Sequence, residues 1–256
     1  MAETVSIERQ FRGPPQSGHG GYTCGLVGRR IDAAAAEVTL RVPPPLQRPL
    51  AVERPGPGQV ELRDADTLVA EGRALEGLEL QVPEPVGLAE AAAAREASPL
   101  HHYHPWPMCF VCGPDRELGD GLRVISGPVE GRDIVASPWE TGEDLPTENG
   151  ALAPEMVWAA LDCPSGNALM QVFGPPADSG ESEGPRQPVA ALGRLSARID
   201  AAFEPGVTYA AVGWPIEREG RKHYTGSAIF SPRGELLACA KAVWIELRGD
   251  TLGAQS

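Results

Sequence analysis

The sequence predicts an α+β fold in which one unit, an antiparallel sheet wrapped around a central helix, occurs twice in the chain and packs on itself as a pseudo-dimer. Three observations predict it. The 256 residues are 42% hydrophobic and 22% charged, which suffices for one large core or two smaller ones and argues against disorder throughout. Gly (30) and Pro (26) together exceed a fifth of the chain and fall in clusters, which marks many turns between short elements. The same order of elements, a short apolar helix followed by runs of period-two alternation, is found in both halves.

In the first half, the small apolar residues from His19 to Gly28 form the helix. Strands follow at Glu37–Val42, Gln59–Arg63 and, after a turn at Asp64–Asp66, Thr67–Arg73. Ala89–Ala97 is a run of strong helix formers between Pro85 and Pro99, and the turn-rich His101–Pro107 segment follows it. This composition change divides the chain into a first domain (1–85), a linker with its own helix (86–107) and a second domain (108–249). In the second domain the helix is Ala151–Cys163, with strands at Gly193–Ile199, Val207–Trp214, Lys222–Phe230 and Glu235–Leu247. Residues 173–188 are acidic, proline-rich and nearly devoid of apolar side chains, so they read as a mobile surface insertion placed to act as a lid. A sheet with one helix buries a single face, so two copies gain by pairing.

Charge and composition exclude several functions. A formal charge of −13 repels phosphate backbones and anionic lipid, so neither nucleic acid nor a membrane is an expected partner. No window approaches the roughly 18 apolar residues of a membrane helix, and Met1–Val5 is neither basic nor apolar, so a cytoplasmic location is expected. Cys24, Cys109, Cys112, Cys163 and Cys239 are too few and scattered for a disulfide scaffold, and reduced thiols are expected. Phosphate-binding glycine loops are absent, and no cofactor is expected.

Two short segments carry a family resemblance. Cys109-Phe-Val-Cys112-Gly113-Pro114-Asp115, followed by Gly121-Leu-Arg-Val124, resembles the segment that leads into the first strand of many hotdog thioesterase-like domains. His19-Gly20-Gly21 resembles the HGG signature that opens the central helix in the same acyl-CoA thioesterase superfamily. The resemblance implies a tandem hotdog fold and an acyl-CoA or acyl-thioester substrate. It also implies a carboxylate about two and a half turns into the helix. In the first half that position is Gly28; in the second half it is Asp162, but Ala153-Pro154-Glu155 replaces HGG. Each half keeps what the other lacks, and in such thioesterases the site lies between paired domains. One composite site is therefore expected, with Gly20 and Gly21 holding the thioester carbonyl, Asp162 as general base or nucleophile, and His19 orienting the loop or the substrate.

The residues themselves admit plainer roles. Gly20 and Gly21 also suit an ordinary helix start. Asp162 lies two residues before Pro164, where a frayed helix end would aim it less firmly. Gly25 and Gly28 weaken the first helix by about 1 kcal/mol each unless close packing on the sheet explains them. Glu155 is a candidate second acid toward substrate. Arg221-Lys222-His223 suits either a coenzyme A phosphate or a solvated hairpin tip. Cys109 and Cys112 have metal-ligand spacing with His101, His102 and His104 just upstream, but no second CxxC completes a four-ligand set, so no metal is expected. Cys163 has no histidine at recognisable spacing and reads as a buried apolar residue. Alternatives to thioester hydrolysis are a non-catalytic acyl-thioester binding protein and a hydratase or dehydratase; no paired Asp and His is visible for the latter. Exposed sheet faces lead to the expectation of a homodimer.

Overall fold

A computed structural model describes residues 3–117, 119–173 and 189–247. Nearly all of the predicted insertion at 173–188 lies outside the described residues. In chain order the elements are β1 (Thr4–Val5), α1 (Gly20–Gly28), β2 (Ala35–Leu40), β3 (Leu50–Glu53), β4 (Gln59–Asp64), β5 (Thr67–Leu75), α2 (Leu88–Glu96), β6 (Gly127–Pro128) and β7 (Val135–Glu140). They continue with β8 (Thr147–Glu148), β9 (Ala151–Leu152), α3 (Pro154–Asn167), α4 (Met170–Phe173), β10 (Ala190–Ile199), β11 (Thr208–Glu219), β12 (Lys222–Phe230) and β13 (Leu236–Glu246).

Eleven of these strands form one antiparallel sheet in the order β1-β3-β4-β5-β2-β10-β13-β12-β11-β7-β6. The halves of the chain meet where β2 pairs with β10, with Glu37 opposite Ser196 and Thr39 opposite Arg194. Ser196 Oγ donates to Glu37 Oε2 and Arg194 Nε to Thr39 Oγ1, so side chains tie the seam as well as backbone. The expected strands form, with β3 and β7 and the two-residue strands β1, β6, β8 and β9 in addition. Gly121–Val124 does not form a strand. Leu122 and Val124 donate instead to the carbonyls of Phe110 and Val111, which folds the segment back over the cysteine turn.

Period-two alternation decides which face each side chain meets. Along β11, Tyr209 and Ala211 join the main core with α1 and α3, whereas Ala210, Val212 and Trp214 join a second cluster that includes Ala91 and Ala94 of α2. The helix of the predicted linker is thus a covering layer on the opposite face of the second-half sheet. On the first half that face carries ion pairs, Arg73–Glu37 and Arg63–Glu61 among them. Only Val42, Val172 and Ile216 are exposed large apolar residues among those described. Of the sheet faces on which the homodimer expectation rests, the outer one is charged on the first half and covered by α2 on the second. None of the described helices is long and apolar enough to cross a membrane.

The two central helices touch each other more closely than they touch most strands. A Cβ on Gly25 would lie 2.5 Å from Glu155 Cα, and one on Gly28 would lie 2.5 Å from the Trp158 ring. One on Gly21 would overlap Asp162 Cβ and the Trp158 carbonyl. The helix-weakening glycines are therefore explained by packing of α1 on α3, not on the sheet. Helix α3 also continues past Pro164 to Asn167, so Asp162 sits inside the helix and not at a frayed end. Burial of α3 from Glu155 to Gly166 outweighs the local penalty of proline.

Gly25→Ala is expected to lower unfolding stability by about 1–3 kcal/mol, because the overlap is with the backbone of α3. Gly77→Ala, where nothing lies within 4 Å, is expected to stay within about 0.5 kcal/mol. Urea unfolding followed by fluorescence measures both, and equal effects would contradict the close-packing account.

Candidate functional site

The antiparallel packing of α1 and α3 brings the start of α1 to the middle of α3. His19 caps α1: its Nδ1 accepts from the Tyr22 amide at 3.2 Å. Nδ1 being an acceptor leaves the proton on Nε2. That Nε2 lies 3.3 Å from Cys163 Sγ and 3.5 Å from Asp162 Oδ2. The Gly21 amide donates to Asp162 Oδ2 at 2.6 Å, across 141 residues of chain.

Asp162 is 2% exposed, and its Oδ1 has no hydrogen-bond partner among the described residues. Burial raises its carboxyl pKa to about 6, against the lowering effects of His19 and the Gly21 amide. His19 is itself raised: burial opposes its cation, but the negative charge of Cys109 and of Asp162 outweighs that. The Cys112 and Cys163 thiols, bonded to the Cys109 sulfur, hold Cys109 well below the ordinary thiol range, while both partners are pushed up.

These groups open onto a cavity of about 430 Å³ whose wall is mostly apolar, with Leu40, Leu100, Leu192 and Trp244 on its sides. His19, Gly20, Asp162 and Cys163 all line it. A bulge in β10 between Leu192 and Arg194 turns Leu192 toward the start of α1, next to Gly20. Arg41 lines the mouth and is paired with Glu71. An apolar pocket with a few convergent polar groups is the usual form of a small-molecule site.

The predicted site residues divide accordingly. His19, Gly20, Gly21 and Asp162 come together. Gly21 does so as a donor to Asp162, so its amide is already engaged, whereas the amide of Gly20, which lines the cavity at the first turn of α1, has no partner among the described residues. Glu155 does not reach the cavity; both its carboxylate oxygens accept from Arg29 Nη1 at 2.8 Å. With Trp158 over Gly28, this pair fills the opposite end of the helix interface. Arg221 and Lys222 are exposed at the hairpin between β11 and β12, Arg221 donating to the Glu246 carbonyl, and neither lines the cavity. The Asp and His pairing that sequence spacing does not reveal exists here as Asp162 and His19. Cys109, Cys112, Cys163 and Arg41 were not expected at the site; the CxxC was the available signal for two of them.

No family model matches the chain, and no curated protein matches it. Solved structures do. A candidate thioesterase II from Thermobifida fusca superposes with a TM-score of 0.57 at 15% identity, covering 96% of each chain. A tesB protein from Mycobacterium avium subsp. paratuberculosis gives 0.57 at 12% identity, again over 96% of each. A candidate thioesterase from Novosphingobium aromaticivorans gives 0.54 at 15%, over 96% of this chain and 95% of its own. Likeness at such identities concerns the fold, and the fold is the tandem hotdog.

Because the folded pKa of Asp162 lies above the value of 3.8 expected in an unfolded chain, the native state holds a proton that the unfolded state has released between those values. The group contributes full stability below pH 4 and loses that contribution as pH rises through about 6. Asp162→Asn, which removes the buried charge and keeps an acceptor for Gly21, is expected to be more stable than the parent at pH 7.5 by up to about 3 kcal/mol, and equal to it below pH 4. Denaturant unfolding at the two pH values checks this; equal stability at pH 7.5 contradicts it.

Proposed function

We propose that the protein hydrolyses an acyl-CoA or related acyl thioester at one composite site between α1 and α3. The observation that carries this reading is that one apolar cavity is lined both by a buried carboxylate and by a helix-start glycine whose amide has no partner among the described residues. Fold likeness to proteins assigned as thioesterases supports it. The chain is read as two packed hotdog domains, 1–85 and 108–249, each supplying one part of the site.

The chemistry follows from the positions. Negative charge develops on the thioester oxygen, and the Gly20 amide, at the positive end of the α1 dipole, meets it without reorganising. The Gly21 amide takes a different role from the one its motif suggests: it fixes Asp162 Oδ2, which leaves the buried Oδ1 without a partner among the described residues and available to a substrate or water that enters the site. Oδ1 takes a proton from water, whose hydroxide adds to the carbonyl carbon and expels the thiolate, or it attacks that carbon itself, expelling the thiolate and leaving a mixed anhydride that water then cleaves; both routes end in free acid and free thiol. His19 holds the loop through its cap bond and presents Nε2–H beside the carboxylate, a proton donor suited to the leaving thiolate. The acyl chain lies along the apolar wall, and Arg41 meets the phosphate of the carrier.

A second reading, hydration or dehydration of an acyl thioester, is favoured by the 3.5 Å approach of His19 to Asp162. It requires a histidine nitrogen free to accept a proton. Nδ1 is occupied by the Tyr22 amide and Nε2 carries the proton, so hydrolysis is preferred.

Thiol release across a panel of acyl-CoA chain lengths tests the function. Turnover is expected in the parent, with kcat falling at least about 100-fold in Asp162→Asn while acyl-CoA binding persists. Binding with no thiol release would support a ligand-holding protein, and change in the enoyl absorbance without thiol release would support the hydratase. Arg41→Ala is expected to raise KM several-fold for CoA thioesters and leave it unchanged for acyl-pantetheine thioesters, which lack the nucleotide phosphates. Equal KM changes for both substrate types would contradict the phosphate role.

A further inference from the structure

The cavity floor holds more sulfur than thioester hydrolysis uses. Cys109, Cys112 and Cys163 are 3%, 5% and 6% exposed, and all three face the cavity. Cys109 Sγ lies 3.6 Å from Cys112 Sγ and 3.9 Å from Cys163 Sγ. Ligand atoms of His19, Cys109 and Cys163 all fall within 4.8 Å of one another, with His19 Nε2 3.3 Å from Cys163 Sγ. None of the five cysteines is in a disulfide.

We propose that Cys109, Cys112, Cys163 and His19 form a tetrahedral zinc(II) site that clamps the start of α1 to α3 and to the 109–113 turn. Zn–S bonds of about 2.3 Å at the tetrahedral angle put sulfur atoms about 3.8 Å apart, and one Zn–N bond of about 2.0 Å puts nitrogen about 3.5 Å from each sulfur. The observed separations of 3.6, 3.9 and 3.3 Å match three of these six edges, and His19, Cys109 and Cys163 form the group whose ligand atoms all lie within 4.8 Å of one another; Cys112, which stands outside that group beside Cys109, turns its side chain to complete the set. Three thiolates and an imidazole form a soft donor set that suits zinc rather than calcium or magnesium. The turn that carries Cys109 and Cys112 is tight: the Gly113 amide donates to the Cys109 carbonyl at 3.0 Å, and a Cβ on Gly113 would lie 2.5 Å from that oxygen, so a side chain there would force the turn open.

The two histidines take different places. His104 Nδ1 accepts from the Trp106 amide at 2.9 Å, and its Nε2 lies 3.2 Å from Cys112 Sγ, so it donates to a bound thiolate from outside the coordination sphere. His19 has the weaker hold, a 3.2 Å bond from Tyr22, and ligation through Nε2 moves its proton to Nδ1 in exchange for that bond. The thiols bind as thiolates and release their protons to solvent. Four protein ligands close the coordination sphere, which makes the site structural rather than a source of activated water. With zinc bound, His19 has no Nε2–H to give and the leaving thiolate takes its proton from water; the metal site itself stands whether or not the cleft hydrolyses thioesters.

The test uses the full-length protein, reduced and stripped with chelator, titrated with cobalt(II) and then zinc. One equivalent of cobalt is expected to produce thiolate charge-transfer absorption together with the visible bands of a tetrahedral ion, and zinc is expected to displace it. Bound zinc is expected to protect three of the five thiols from alkylation, identified by mass spectrometry as 109, 112 and 163, and to raise the unfolding temperature. Cys163→Ser and His19→Gln are expected to weaken zinc binding at least about 100-fold, while Cys239→Ala binds as the parent does. Octahedral cobalt spectra, sub-stoichiometric binding, or unchanged alkylation of the three thiols would overturn the proposal. The alkylation arm uses the parent alone, so it decides the matter even where a variant fails to fold. Because none of these readouts involves turnover, a site without hydrolysis and hydrolysis without a site are separate outcomes.

Discussion

The contact between α1 and α3 is the constraint on which the rest of the molecule depends. Without side chains at Gly21, Gly25 and Gly28, the helix axes approach until backbone and ring atoms of α3 occupy the space where Cβ atoms would sit. At that separation the Gly21 amide reaches Asp162 directly. Adding one methyl group anywhere along this stripe separates the helices and pulls the carboxylate from its donor. The weak intrinsic helicity of the glycine-rich α1 is acceptable because burial between the sheet and α3 supplies the stability that propensity does not.

The interface has two ends, and they differ. At one end lie Gly20, His19, Asp162 and three thiols beside a cavity. At the other end, Trp158 covers Gly28 and Arg29 pairs with Glu155, leaving packed groups in place of an opening. In a symmetric pair of identical units both ends would be sites. Here the second-half helix opens with Pro154, which has no amide hydrogen to offer, and the first-half helix has Gly28 where the acid would stand. Glycine at position 28 lets the Trp158 ring pack against α1, so the closed end strengthens the contact that positions the open one.

The electrostatics of the open end follow from burial. A carboxylate screened from water keeps its proton to higher pH, and its one fixed donor restrains that shift without cancelling it. The neighbouring thiols form a connected row from His19 to His104 in which the central sulfur is the one most readily ionised. Carboxylate and sulfur row share the buried position beside α1, so a change in one alters the field at the other.

Much of this was legible in the residues. Alternation in the strands placed a helix and meander twice, and the resemblance of His19–Gly21 to the hotdog thioesterase signature, with its acid position at Gly28 in one half and Asp162 in the other, implied the pairing of Gly20 and Gly21 with Asp162. What the residues alone left undecided had a common physical cause: contact across long separations. Pro164 reads locally as a helix end, yet the helix continues because its surface is buried. Glu155 reads as an acid for substrate, yet Arg29, 126 residues earlier, takes both its oxygens. Cys163 reads as an isolated apolar residue until the fold sets it 3.9 Å from Cys109. Local pattern determined the elements and the motif positions, since period and turn chemistry act between neighbours in the chain. Only the tertiary structure decided which amide the carboxylate occupies, which end of the helix pair stays open and which thiols meet, since those are matters of distance between residues that the chain keeps far apart.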